Sequence, residues 1–494
     1  MTEPGASTQG QGHAAAATAE PDPRRWKALS VALTAGFMTL LDVSIVNVAL
    51  PSIRQALNAP ASALQWIVSG YALSFGLVLV AAGRLGDARG RRTMFIVGVA
   101  VFTTSSLVAG LSPNAWWLVG ARLLQGVGGG IINPQVSGLI QQLFSGAERG
   151  RAFGRLGTTI GISTAVGPVL GGLILAVAGN AEGWRWVFLV NLPVGLLAIL
   201  LARHYIDPVI DPEPVHDLDP LGAVLLGAGV VGLLWPLVTQ EWRLLDVLLV
   251  VAGALCLVVF WWWERRQESL GRVPMIRLSL FARPGYGAGA LLGAVYFAGF
   301  TGVVFVLTLY LQNGLGYTPL EAGLSLTPFA LGSAVSATIG GRLVSRMGRS
   351  LVVIGLVVVG LGLGATDLVL GGHHGGAAGW WLALPLLVAG VGGGLVISPN
   401  VTLTLANVPV HQAGAAGGVL NTGQRLGTAA GISVIGSLFF SHIAATGDFG
   451  GAAAIGLRAT LVFIVLALLV GVVDLVRGRS RDREPQPASG SPAR

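Results

Sequence analysis

The chain has 494 residues, of which 53% are hydrophobic and only 11% charged, against roughly 25% charged in a soluble domain; this excludes a soluble globular protein and sets the class as an all-α polytopic membrane protein. The single cysteine, Cys256, lies in an apolar run, which excludes a disulfide framework and a cysteine metal site. The formal charge of +8 is accounted for by basic loops beside anionic inner-leaflet lipid, without a nucleic-acid partner.

Residues 1–27 are expected to form a disordered cytoplasmic tail; their first part has neither the basic start nor the apolar core of a cleaved signal peptide. Six apolar runs of membrane-spanning length fill 28–203, near 28–50, 64–83, 93–112, 115–140, 156–178 and 184–203. An acidic, proline-containing linker follows at 204–219, with Asp207, Asp211, Glu213, Asp217 and Asp219. Two further runs, near 220–239 and 244–263, lead into a basic stretch that ends at 283. Six more runs fill 284–477, near 285–311, 321–342, 350–370, 380–405, 413–440 and 455–477, ahead of a second tail at 478–494. The expected architecture is two pseudo-symmetric six-helix bundles plus two extra helices, about fourteen spans in all.

Arginine concentrates around 84–92, 149–155, 265–283 and 342–349 and after 477, whereas 112–115 and 371–379 hold almost no positive charge. By the positive-inside rule the arginine-rich ends and both termini face the cytoplasm, in the cell (plasma) membrane. His373 and His374 read as an exposed loop pair, not a metal site.

Between the second and third runs, Gly83-Arg84-Leu85-Gly86-Asp87-Ala88-Arg89-Gly90-Arg91-Arg92 carries four arginines and an aspartate, which predicts a tight loop in water. It recurs 258 residues later as Gly341-Arg342-Leu343-Val344-Ser345-Arg346-Met347-Gly348-Arg349. A second echo, Trp116-Trp117-Leu118 with Gly126 to Gly130, returns as Trp380-Trp381-Leu382 with Gly390 to Gly394. Two coincidences at nearly one offset indicate duplicated halves, the plan of transporters that hold substrate at mid-depth between the repeats. The glycine run sits inside an apolar helix with no strand before it, so it reads as close helix packing and not a phosphate loop.

Two charges lie deep in the first half. Asp42 stands about fourteen residues into span 1, roughly 20 Å from its inner end at 1.5 Å per residue. A carboxylate at that depth is costly, so it is paired, protonated or wet. A carboxyl that can gain and lose a proton at that depth is a candidate to couple proton movement to transport. A neutral carboxyl bonded to Asn47 or Ser44 for packing is the alternative. Arg122 has no acid within its own span, so its partner must come from another helix or from water. Arg425, in span 13, suits either substrate contact or interhelical pairing.

These residues resemble the major facilitator superfamily. Gly83, Leu85, Asp87, Gly90 and Arg91 are similar to its loop signature. The fourteen-span drug:proton antiporter branch is indicated by Leu41-Asp42 through Leu50-Pro51, Arg122 with Gln125-Gly126, Gly167-Pro168 with Gly171-Gly172, and Trp184 to Phe188 with Asn191-Leu192-Pro193. The resemblance covers about 28–477. It implies a proton-transfer role for Arg122 beside Asp42, and a span 5 pattern, Gly167-Pro168, that goes with antiporters. Asp87, with Gly83, Gly90, Arg91 and Arg92, is expected to gate the inner side by pairing at the inner helix ends. Ser345 stands where the first copy has Asp87, which implies an asymmetric inner gate.

Trp66, Tyr71, Tyr296 and Phe300, with Phe297, Phe305 and Tyr310, are candidates to line an apolar substrate cavity. Asn47, Gln125, Gln312, Asn400 and Arg425 are candidates for its polar contacts. Apart from Asp367, near an outer end, no acid lies deep in spans 9 to 13, which disfavours a divalent cationic substrate. The only lysine, Lys27, precedes Ala28, so no phosphate-loop lysine exists and the chain is not itself an ATPase. An ion gradient is left as the energy source.

The reading that follows is a proton-coupled exporter of amphipathic toxic compounds, by alternating access. It has no cofactor; its partners are a small-molecule substrate, protons and membrane lipid, and the sequence leaves the oligomeric state open, a monomer included. A dedicated exporter of an endogenous metabolite, antibiotic or lipid is the alternative. A non-transporting sensor would not need Asp42 and Arg122. A membrane-embedded enzyme would need a catalytic cluster that the spans lack.

Overall fold

In a computed structural model, the described residues are 23–179, 182–208, 219–239, 244–272, 274–372 and 378–483, and every regular element among them is helical. A chain in lipid must satisfy its backbone groups internally, and helices do so within each segment. The first bundle contains α1 (Arg25–Ala56), α2 (Ala61–Arg89), α3 (Arg91–Gly110), α4 (Ala115–Leu143), α5 (Gly146–Ala178), α6 (Gly183–Leu189) and α7 (Asn191–Tyr205). Two helices follow, α8 (Pro220–Thr239) and α9 (Leu244–Ser269), then a short α10 (Ser279–Ala282). The second bundle contains α11 (Tyr286–Leu309), a π-turn (Tyr310–Gly314), α12 (Pro319–Met347), α13 (Arg349–Gly372), α14 (Ala378–Thr404), α15 (Ala413–Thr446) and α16 (Phe449–Arg483).

The bundles pack by the same plan. In the first, α2 and α3 pack on α4, and α1 packs on α5; in the second, α12 and α13 pack on α14, and α11 packs on α15. The repeat therefore carries α1 to α11, α2 to α12, α4 to α14 and α5 to α15. The bundles meet along two seams that exchange under this relation, α2 with α15 and α5 with α12. The extra helices pair with each other, and α8 lies over the first seam, touching both α2 and α15. Leu73, Val230, Leu234 and Ala429 form the apolar contact there.

Twelve helical segments are long and apolar enough to cross a membrane, with α6 and α7 counted as one. The expected fourteen differ from this by α4 and α8. The first is 29 residues long but is diluted by Arg122 and its glutamines, and the apolar part of the second covers only Pro220–Pro236. The run at 184–203 is broken at Val190 into α6 and α7. Pro193 falls in the first turn of α7, where its missing N–H costs no helical bond.

The tight loop expected at 83–92 is corrected. Helix α2 continues to Arg89, and only Gly90, with φ +90°, separates it from α3. Gly348, at the equivalent place in the second copy, has φ +54° and separates α12 from α13. Only glycine takes such angles without steric cost. The motif's charges are not all in water either, because Arg84 and Arg91 are each 6% exposed. Charge density signals a surface loop only where no neighbouring element supplies partners, and here the opposite bundle supplies them to Asp87 and Arg91. The tails at 1–22 and 484–494, Asp211, Glu213 and Asp217 of the linker, and His373 and His374 lie outside the described residues.

Candidate functional site

The deep charges of the first bundle form one network. Asp42 of α1 and Arg122 of α4, each 1% exposed, are in direct ion-pair contact. Gln125 Nε2 donates to Asp42 Oδ1 at 2.8 Å and to Ser106 Oγ of α3 at 2.7 Å. Asn191, the first residue of α7, donates to the same Asp42 oxygen at 3.1 Å. Arg122 donates further to Gln125 Oε1 at 2.7 Å and to the Ile67 carbonyl at 3.0 Å. Its guanidinium lies 4.2 Å from the centroid of the Tyr71 ring, and the Tyr71 hydroxyl donates to the Thr39 carbonyl. Five helices thus contribute to one network, in which α4 and α7 bond the Asp42 carboxylate directly and satisfy the rule that a buried charge be paired and hydrogen-bonded.

Ser44 and Asn47 do not bond Asp42, which corrects that alternative. On a helix, residues two and five apart point to different faces. Ser44 and Asn47 instead share the face of α1 that looks out between the bundles, and there a cavity of about 260 Å³ opens. Its polar lining is Ser44, Asn47, Thr164, Thr308 and Gln312, and its apolar lining includes Pro168, Leu326 and Phe329. No ionisable side chain lines it. It lies toward the helix ends remote from Asp87.

Of the twelve expected cavity residues, Asn47 and Gln312 line this space and ten do not, Phe297, Phe305 and Tyr310 among them. Tyr71 and Gln125 belong to the ion network. Trp66 stacks edge-on against Trp235 of α8, at 4.8 Å between centroids. Tyr296 is fully buried against Phe297 and Phe300, and Phe300 backs the cavity wall through Phe329 at 5.4 Å. Asn400 accepts from Arg349 at 2.6 Å and donates to the Gly289 carbonyl. Arg425 lies over the Phe75 ring at 4.5 Å, bridging α15 to α2. Aromatic and amide side chains in a chain this apolar mostly fill helix interfaces, so residue type alone did not select the cavity.

At the opposite ends of the helices the first seam is shut. The Asp87 carboxylate accepts from the amides of Gly414 and Ala415, both at 3.0 Å, at the start of α15. Those amides are unpaired helix N-terminal donors at the positive end of the dipole. Arg91 donates to Asp87 at 2.9 Å, to the Val410 carbonyl at 2.5 Å and to the Gly138 carbonyl. Gly83 sits so close to Gly414 that a Cβ there would lie 2.6 Å from its carbonyl carbon. Arg92 takes no part in the seam: it donates to the Arg203 carbonyl, tying α3 to α7 within its own bundle. Gly167 lets α5 approach Ser44 of α1, and Pro168 faces the cavity.

Sequence reasoning passed over Ser106 and Asn191 as site residues. The break before Asn191-Leu192-Pro193 is the signal that would have found the second, since a helix interrupted at depth frees polar groups to point inward. The second seam, between α5 and α12, is held by Thr158 and Thr338, their hydroxyls 2.6 Å apart. Among the described residues no group of three or more potential metal ligands occurs.

Comparison with known proteins places these features. The family model for the Major Facilitator Superfamily matches residues 32–432 and 289–493. A Streptomyces coelicolor protein named "Probable actinorhodin transporter" is 39% identical over 433 residues, covering 86% of this chain and 74% of its own. The puromycin resistance protein pur8 of Streptomyces alboniger is 34% identical over 476 residues, covering 93% and 91%. Among solved structures, the proton:xylose symporter XylE superposes with a TM-score of 0.64 over 91% of this chain and 95% of its own, at 16% identity, which speaks for the fold alone. The chain belongs to the major facilitator superfamily; it is a multi-pass membrane transporter and not an enzyme.

Proposed function

We propose that this superfamily member is a proton-coupled antiporter that exports amphipathic drugs or toxic compounds across the plasma membrane. The observation that carries the reading is a buried carboxylate, Asp42, paired to Arg122 immediately behind an uncharged cavity whose inner side is shut. Ser44 and Asn47 of α1 face the cavity while Asp42, on the same helix, faces the ion pair. A change at one face is thereby felt at the other. Protonation of Asp42 would release Arg122, rearrange Gln125 and Asn191, and shift the cavity-facing side of α1. One proton entering down roughly 150 mV supplies about 3.5 kcal/mol, enough for an outward gradient of several hundredfold at about 1.4 kcal/mol per tenfold.

In this reading Asp42 and Arg122 couple the proton. Asp87 and Arg91, with Gly83, Gly90, Gly167 and Pro168, govern the change of state, and Asn47 and Gln312 contact the substrate. The chain crosses the membrane fourteen times with both termini in the cytoplasm. Residues 28–203 and 284–477 form the moving halves, joined by the linker 204–219 and the pair of spans within 220–283. The uncharged lining suits neutral or weakly charged amphipathic compounds. A cavity of about 260 Å³, and relatives named for single antibiotics, favour a second reading, export of one endogenous metabolite or antibiotic. Efflux from proteoliposomes under an imposed pH gradient, over a compound panel, tests both. Uphill movement of several unrelated compounds supports the first reading, of one compound the second, and gradient-independent movement of all of them overturns proton coupling.

A further inference from the structure

The two seams that shut the arginine-rich face are equivalent under the repeat but differ in chemistry. At the first, the Asp87 carboxylate crosses from α2 to the amides of Gly414 and Ala415. At the second, Ser345 of α12 stands 258 residues after Asp87, and Gly150 and Arg151 of α5 stand 264 residues before Gly414 and Ala415. The backbone contact persists, since a Cβ on Gly341 would lie 2.7 Å from the Cα of Gly154. The bridging carboxylate is lost. In its place is a cleft of about 710 Å³ lined by Arg151 and Arg155 from α5, Arg342 and Arg346 from α12, and Trp26 and Glu148. Glu148 is already held by Arg25 at 2.8 Å. None of the four cleft arginines, all exposed, has a carboxylate partner among the described residues. Arg155 is steadied over the Trp26 ring at 4.0 Å.

We propose that this cleft binds a phosphate group, which supplies from outside the anion that Asp87 supplies at the first seam and so holds the second seam closed. Guanidinium forks match phosphate oxygens two at a time. Two forks come from each bundle, so one phosphate bonds across the seam only while the bundles are together. A ligand that favours one state in this way shifts the population toward it. The cleft opens at the end where an interfacial tryptophan and clustered arginines meet the inner membrane surface. Its phosphate is therefore either the headgroup of an anionic lipid or free phosphate from the cytoplasm. The inference rests on the proposed orientation and alternating access only for its consequence; binding itself requires neither.

The test uses the full-length protein carrying Cys256→Ala, with nitroxide labels at Ser145 and Met347, exposed residues at the facing ends of α5 and α12. Pulsed electron resonance distances are measured in nanodiscs of phosphatidylcholine, of phosphatidylcholine mixed with phosphatidylglycerol, and of phosphatidylcholine with added inorganic phosphate. The ratio of short to long distances is expected to rise about tenfold with the bound anion, equivalent to about 1.4 kcal/mol. A response to phosphatidylglycerol alone assigns the lipid headgroup, and a response to inorganic phosphate assigns the free ion. The Arg342→Gln/Arg346→Gln variant should lose the response. Ser345→Asp, which restores an internal carboxylate, should close the seam in phosphatidylcholine alone and respond no further. An unresponsive wild type, an undiminished response in the double glutamine variant, or a Ser345→Asp variant that behaves as wild type each overturns the proposal. No transport is measured, so failure of the export reading would leave the distances as they are.

Discussion

Asp42 is a group whose cost the rest of the molecule offsets. It is held by Arg122 and Gln125 of α4 and by Asn191 of α7, and removing one member of a buried pair leaves the other uncompensated, at about 3–5 kcal/mol. Arg122→Ala should therefore lower the melting temperature sharply and abolish export. Asp42→Asn also leaves the Arg122 charge unneutralised and should lower the melting temperature, but it keeps the size and a hydrogen-bond acceptor at that position, so the protein that folds should still bind a neutral substrate, as read by tryptophan quenching. Its pH-driven uptake into inverted vesicles should fall at least about tenfold, a loss of about 1.4 kcal/mol in coupling, because the site no longer changes charge. Wild-type accumulation by Asp42→Asn would move the coupling role elsewhere. The depth of Asp42 and Arg122 was legible in the sequence, since charge is conspicuous in an apolar run. Their contact was not, because they are 80 residues apart and only the packing of α1 on α4 brings them together. Asn47 and Ser44 were misplaced as bonding partners because proximity in the chain is not proximity on a helix surface.

The seam helices are ordinary apolar spans whose ends carry the specificity. Asp87 accepts from two amides of α15 and from Arg91, and a carboxylate at a helix N-terminus contributes up to about 2 kcal/mol in partly buried geometry. Asp87→Ala should leave insertion and yield unchanged while reducing transport severalfold and opening the inner ends, measured in a Cys256→Ala background as faster thiol labelling of a cysteine placed at Ser137, which is buried against Gly417 of α15. An undiminished transport rate would remove Asp87 from the gate. The extra helices belong to a different tier, because the mirrored contacts of the two bundles are complete without α8 and α9. Excision of about 218–265, with the ends joined by a flexible linker, should leave folded protein of lower stability, since Leu73 and Ala429 lose the cover of Val230 and Leu234. Complete loss of a monodisperse peak would place the pair in the core. The spans themselves were legible because apolar length is a strong signal. The helical path through Gly83 to Arg89 was not, since two of the charges that suggest a water-exposed loop, Asp87 and Arg91, find partners on the other bundle.

At the scale of the whole molecule, the repeat places two glycine-to-glycine contacts at the same end, Gly83 on Gly414 and Gly150 on Gly341, while the cavity opens toward the other end. Closure at the arginine-rich face thus depends on backbones meeting where no side chain intervenes, and a bulky residue at either contact acts as a wedge. Gly83→Leu should hold α2 away from α15 and favour the state open at that face. Labels across the inner ends should move apart, labels across the cavity mouth should draw together, and uphill transport should be lost. The Asp42–Arg122 pair lies deeper within the first bundle and should be untouched, so a melting temperature close to wild type would separate a shifted equilibrium from a damaged fold. Gly341→Leu should produce the same shift from the second seam, and the double variant should add little, because either wedge alone already prevents closure. If Gly83→Leu leaves both distances unchanged, the seams are static joints and the two bundles do not rock about the cavity between them.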